Sequence, residues 1–129
     1  MSFTLHLKKI TDKAGANADL VVRKVAIDIL SSVVNKSPVD TGRFRGNWQL
    51  SIGNVDSTIN SADDKTGAGA IAKGSAELAG FKSGKTIFIS NSLPYAHRLE
   101  YDSWSRQAPQ GMVRLTVIEF KRMLRTSLK

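Results

Sequence analysis

Apolar residues follow two rhythms along this chain, and each rhythm predicts a different element. Between Asn17 and Lys36, the residues Val22, Val25, Ala26, Ile29, Leu30 and Val33 recur at three- and four-residue spacing, while Asp28, Ser32 and Lys36 lie toward the other side. That period lays one apolar stripe along a helix. Thr11, Asp12 and Asn17 each have the chemistry to cap its start. Pro38 ends it, because the ring disfavours helical geometry at Ser37 and supplies no N–H. Beyond Gly42 the rhythm shortens to two: Phe44, Trp48, Leu50 and Ile52 take even positions, and Arg43, Arg45, Asn47, Gln49 and Ser51 take odd ones. Such alternation predicts a half-buried strand with one wet face, whose register is held by the cost of exposing Trp48. Between helix and strand, Asp40 is suited to bond a main-chain N–H two residues on, and Gly42 to take positive φ, so Pro38, Asp40 and Gly42 form a structural turn.

From Gly53 to Gly84 small and polar residues dominate. Residues 53–69 read as a mobile loop, and Ala70 to Phe81 as a short helix with a small-residue face. Thr86 to Ser90 is a β-branched and aromatic run between turn residues, a central strand. Asn91 or Ser92 then caps a helix with Pro94 at its first position, carrying Tyr95, Ala96, Leu99 and Glu100. Asp102 to Gly111 is loop, with Pro109 as a second rigid stop. Val113, Val117, Phe120, Leu124 and Leu128 form a helical seam, although Val113, Leu115 and Val117 also alternate. Phe3, Leu5 and Leu7 alternate with Thr4 and His6, which offers a third strand. The whole predicts an α+β fold in one domain, residues 1–129, with a small antiparallel sheet packed against a long N-terminal helix and a C-terminal helix.

Composition narrows the chemistry. A chain of 129 residues with 41% hydrophobic and 23% charged residues suits one globular domain. Cysteine is absent, which removes disulfides, thiolate metal sites and a thiol nucleophile. No apolar run approaches the ~20 residues of a bilayer span, so no membrane partner is expected. Met1 to Ile10 has no apolar core of signal-peptide length, so export is not expected either. Nineteen Lys and Arg against eleven Asp and Glu give a formal charge of +8. The cations are dispersed, which fits a solvated face, acidic protein neighbours or direct nucleic-acid contact.

Reactive arrangements are hard to find. His6 and His97 are the only histidines. His97 stands three residues before Glu100, a spacing that suits an imidazole–carboxylate pair or a surface histidine beside a salt bridge. Asp56, Asp63 and Asp64 do not match calcium-loop spacing, and Gly67-Ala68-Gly69 lacks the lysine–hydroxyl pair of a phosphate cradle. No metal, no cofactor and no catalytic residues are expected. Cations and aromatics do interleave at Arg43, Arg45 and Trp48, and again at Tyr95, Arg98 and Tyr101. One reading is a nucleic-acid platform; the other buries Trp48 and pairs the arginines with Asp40 or Glu100. Trp104, between two serines in loop, and Arg106 are candidate anchors for a protein partner. The candidate interface set is therefore Arg43, Arg45, Tyr95, Arg98, Tyr101, Trp104 and Arg106.

Two segments carry a resemblance. They are Ser37-Pro38-Val39-Asp40-Thr41-Gly42-Arg43-Phe44-Arg45, and Asn91 with Pro94-Tyr95-Ala96 and Leu99-Glu100-Tyr101. Together, over about Ala18 to Leu124, the chain resembles the small neck and tail-completion proteins of tailed bacteriophages, the HK97 gp10-like family. In that family a proline–valine–aspartate–threonine–glycine turn leads into the sheet, and a proline placed like Pro109 precedes the terminal helix. Many members carry glycine and threonine where this chain has Asp102-Ser103, so the loop after Tyr101 departs from the pattern. The resemblance implies a structural virion protein, not an enzyme. It would act in the neck, as a homo-oligomeric ring that completes the tail or joins head to tail, beside other neck, connector and tail proteins and close to the DNA channel. A tail terminator ring is the alternative within the neck, and a basic nucleic-acid-binding module the alternative outside it.

Overall fold

The computed structural model describes residues 2–5, 18–39, 41–60, 63–82, 84–101, 105, 107–108 and 110–127. Three strands, β1 (Ser2–Leu5), β2 (Trp48–Ile52) and β3 (Ile87–Asn91), form one antiparallel sheet in the order β1-β3-β2. Among the described residues five helices accompany them: α1 (Ala18–Lys36), the single turn α2 (Arg43–Gly46), α3 (Ala68–Leu78), α4 (Ala96–Tyr101) and α5 (Val113–Ser127). The fold is α+β, with helix near each end of the chain. No helix among the described residues is long and apolar enough to cross a membrane.

α1 follows the predicted stripe. Val22, Ala26, Ile29, Leu30, Val33 and Val34 are buried, and the helix stops at Lys36, ahead of Pro38. Its last turn is closed by Ser37, which donates its hydroxyl to the Val33 carbonyl at 2.6 Å and accepts the Trp48 indole N–H at 2.7 Å. The end of α1 is thereby fastened to the start of β2. β3 lies in the middle of the sheet, pairing Ile89 with Leu50 on one side and with Phe3 on the other. β1 covers Ser2–Leu5 of the expected third strand; His6 and Leu7 lie outside the described residues.

The predicted strand after Gly42 needs correction at its start. Arg43–Gly46 is a helical turn, with the Gly46 N–H bonded to the Gly42 carbonyl at 3.0 Å, and extended backbone begins only at Trp48. Phe44 and Trp48 are four apart, a spacing that serves a helical face as well as a strand face. Fully extended chain would hold them roughly 13 Å apart, whereas their rings meet edge to face with centroids at 5.9 Å. Packing between the rings selects the helical turn.

The expected wet face of β2 is also covered in part. Gln49 and its register partner Ser90 are buried. The chain leaving β2 turns at Gly53 and runs back across this face: Ser51 Oγ accepts from the Asp56 N–H, and Ser90 Oγ donates to the Asp56 carbonyl. Farther on, the amide of Asn47 grips Asn60 from both sides, Nδ2 donating to the Asn60 carbonyl and Oδ1 accepting its N–H. Residues 63–67 are tied to the motif turn and to α3. The Asp64 N–H bonds the Gly42 carbonyl at 3.2 Å, and Asp64 Oδ2 accepts the Ala70 N–H at 3.1 Å. α3 itself begins at Ala68, two residues ahead of the prediction, and buries Ala70, Gly74 and Leu78 against α1 and β2.

α4 starts differently from its prediction. Neither Asn91 nor Ser92 caps it, and Pro94 stands in the turn before it. Asn91 ends β3 instead, accepting the Leu93 N–H and donating to the Phe44 carbonyl at 2.9 Å. α5 is a helix from its opening residue. Thr116 is buried, as is Met112 just ahead of the helix, with Val113, Val117 and Phe120 half-buried; Leu124 and Leu128 of the seam are not among the side chains described. It rests on α1, where the hydroxyls of Ser32 and Thr116 meet at 3.3 Å and Lys36 pairs with Glu119 at 2.8 Å.

Gly42 supports a direct test of this arrangement. Its φ is 92°, and a Cβ there would overlap the backbone of Asp64 and Lys65. Left-handed strain of roughly 1–2 kcal/mol adds to overpacking of about 1–3 kcal/mol. Gly42→Ala is expected to lower the urea midpoint by an amount worth at least ~2 kcal/mol with an unchanged m-value; a midpoint like that of the wild type would show that the crossing at Asp64 is not tight.

Candidate functional site

The two motif segments meet. The Phe44 ring lies 5.8 Å from that of Tyr95, and the Asn91 amide holds the Phe44 carbonyl. Gln107 joins them from the loop after α4, its Oε1 accepting the Val39 N–H at 2.9 Å and its Nε2 donating to the Val39 carbonyl at 3.1 Å. Between them lies a cleft of about 290 Å³, whose lining includes Pro38, Thr41, Arg43, Phe44, Tyr95 and Leu99. The polar groups that build this junction bond backbone. No group of three His, Asp or Glu side chains among the described residues is placed to hold a metal ion.

Arg45, expected at an interface, is spent internally. Its Nε donates to the Ser37 carbonyl at 3.1 Å, Nη2 to Asn35 at 3.0 Å and Nη1 to Lys65 at 3.0 Å. Asn35 and Ser37 supply carbonyls at the end of α1, where a helix lacks partners and carries partial negative charge. One guanidinium thus clasps the long helix to the segment that precedes α3. Arg43 is exposed at the cleft, Tyr95 is half-buried, and Arg98 is exposed on α4. Trp104 and Arg106, like the turn residues Asp40 and Pro109, lie outside the described residues. Trp48 is buried, so it offers no stacking face.

The group that sequence reasoning placed least well is Glu100. It is fully buried at the start of α5. Oε1 accepts the N–H groups of Met112 at 2.9 Å and Val113 at 2.7 Å, and Oε2 accepts Arg114 N–H at 3.1 Å and Arg114 Nε at 3.0 Å. Arg114 also donates to the Glu100 carbonyl, which closes a two-pronged clamp. Four donors fill the lone pairs of an ionised carboxylate, and an anion at a helix N-terminus is stabilised by the dipole. No acceptor capacity is left to orient an imidazole at His97. Gly111, with φ 84°, completes the seat, because a Cβ there would strike the Glu100 carboxylate. The signal lay in the chain: the residue before α5 is Met112, which has no capping oxygen, so the cap had to arrive from elsewhere.

Asp56 has a lowered pKa. The Thr58 hydroxyl and then the Thr58 N–H, at 2.9 Å from Oδ1, hold its carboxyl below 3.8, and nearby Lys73 helps.

Two outcomes follow. Glu100→Gln keeps the shape but turns an NH2 group toward donors, and breaking a buried pair typically costs about 3–5 kcal/mol. Unfolding by urea should show a loss of this order, with faster amide exchange at residues 112–114; a loss below ~1 kcal/mol would rank the clamp with ordinary surface pairs. Asp56 has a folded pKa below its unfolded value, so its contribution is present above pH 3.8 and disappears as pH falls through the folded value. Asp56→Ala should therefore be less stable than wild type at neutral pH, with the gap narrowing in strong acid; a gap independent of pH would refute the ionised turn. Comparisons of the chain with family models, with curated proteins and with solved structures find no match.

Proposed function

We propose that this chain is a structural protein of a tailed-bacteriophage virion, a ring component of the neck that completes the tail or joins it to the head. The observation that carries the reading is the junction itself. The two segments resembling the neck and tail-completion proteins are far apart in sequence, yet they pack on each other through Phe44, Tyr95 and Asn91. Their polar groups hold backbone in place, as expected of a scaffold that presents surface to neighbours. Identical subunits arranged head to tail close into a ring when the rotation per subunit divides a full turn.

The nucleic-acid module gains less support. Arg45 points at three carbonyls and Trp48 is enclosed, so two of the residues that motivated it are committed to the fold.

The test is genetic and visual. Particles assembled without this protein should appear in electron micrographs as filled heads without tails beside free tails, and supplying the protein in trans should restore joined virions. Normal tailed particles in its absence would overturn the proposal.

A further inference from the structure

We propose that copies of this chain bind one another through two unlike patches, a basic one on α4 and α5 and an acidic one on residues 53–60 and 63–64. The inference rests on the assembly reading above and adds the surfaces and the occupant.

Five large hydrophobic residues stand exposed among those described: Leu20 (63%), Val55 (43%), Ile59 (46%), Tyr101 (50%) and Ile118 (51%). Four of the five fall into two pairs. Tyr101 ends α4, and the Arg114 guanidinium of α5 lies over its ring at 5.2 Å. Ile118 follows one turn along, and Lys121 and Arg122 one turn beyond, all exposed on the same helical face. Arg98, three residues before Tyr101, is exposed as well. Of the acids described nearby, Glu100 lies beneath Arg114 and Glu119 pairs with Lys36.

Val55 and Ile59 sit on the segment that crosses the outer face of the sheet. In a chain of charge +8, Gly46 to Asp64 holds three of the eleven acids and none of the nineteen Lys and Arg. Asp63 is exposed there, and Asp56 accepts the Thr58 N–H at 2.9 Å. Lys65 and Lys73 stand at its edge, Lys73 bonded to Gln49 at 3.1 Å and sharing a cleft with Asp63 and Asp64, so the acids outnumber the lysines here by one.

Each patch is thus an apolar centre with a charged margin, the usual anatomy of a protein interface. Their signs are opposite, and complementary charge selects partner and register. They cannot meet within one subunit. The Asp56 segment lies on the sheet face opposite Leu50 and Ile89, while α5 lies on the helical side against α1. Basic patch on basic patch would set like charges together, so a two-fold contact is disfavoured. A phosphate backbone offers nothing apolar to Ile118. The fitting occupant of each patch is the other patch on a second copy, a contact that propagates head to tail.

Ile118→Asp and Ile59→Asp each disable one patch at an exposed position, so folding should be retained, as an unchanged unfolding midpoint would verify. In sedimentation velocity the wild type should form species beyond the dimer. Each variant alone should associate about thirty-fold more weakly and remain monomeric. An equimolar mixture of the two variants should form one species of twice the 14.1 kDa subunit mass and nothing larger, because only one intact junction is available. Lys121→Glu and Asp63→Lys test the charges: each alone sets like charges together, and their mixture restores both junctions and should assemble beyond the dimer. A mixture that stays monomeric overturns the proposal. So does either variant assembling like the wild type, which would leave the assembly reading intact and reject only these surfaces. A wild type that is monomeric at every concentration sinks both. Binding of a duplex DNA probe that Ile118→Asp abolishes, with self-association unchanged, would assign the basic patch to nucleic acid instead.

Discussion

A carboxylate enclosed in protein must be repaid by donors, and Glu100 finds four of them at the mouth of α5. Much of the C-terminal half follows from this one group. Its burial fixes the end of α4 beside the start of α5, and it forbids a side chain at Gly111. It also draws Arg114 back across Tyr101, which sets the cation and the aromatic face to face. A helix whose preceding residue is methionine has no local cap, so α5 depends for its first turn on a residue from another helix. The dependence is mutual, because an uncapped Glu100 would be a buried charge without compensation.

The N-terminal half uses the same logic with the signs reversed. Arg45 places its guanidinium against carbonyls at the end of α1 and on Lys65, while Ser37 links that end to Trp48. Both helix ends are therefore completed by side chains remote from them. Between these two anchors lie the motif turn, the Phe44 and Tyr95 rings and the cleft. A molecule built this way spends its functional-looking residues on holding unlike elements at fixed distances. In the assembly proposed above, the outward residues of α4, α5 and segment 53–60 are the places where a neighbour would be met.

Several elements were readable from the chain alone because their causes are local. α1 has a long stripe of one period and a proline behind it, β3 has a short apolar run between turn residues, and α5 has the length that a helical seam requires. The first residues after Gly42 were misread for a physical reason. Even-numbered apolar positions four apart satisfy both periods, and only the ring contact between Phe44 and Trp48 decides between them. Gln49 was assigned to water because alternation reports two faces and not what later crosses one of them. Asn91 looked like a helix cap, but its amide is taken by a carbonyl from a segment far upstream.

What the amino-acid order determined by itself was the set of elements with strong internal rhythm, the stop at Pro38, the positive-φ turn at Gly42 and the excess of positive charge. These depend on neighbours three or four residues away, whose contacts exist as soon as the backbone takes its local form. Tertiary structure decided which charges remain outward. Arg45 read as a wet-face residue and Glu100 as a partner for His97 or an arginine; both became clamps within the fold, because each satisfies helix-end groups that no nearby residue can reach. It also decided that Val55, Ile59, Tyr101 and Ile118 stay uncovered, since exposure depends on what packs above a residue, and no pattern along a single chain contains that.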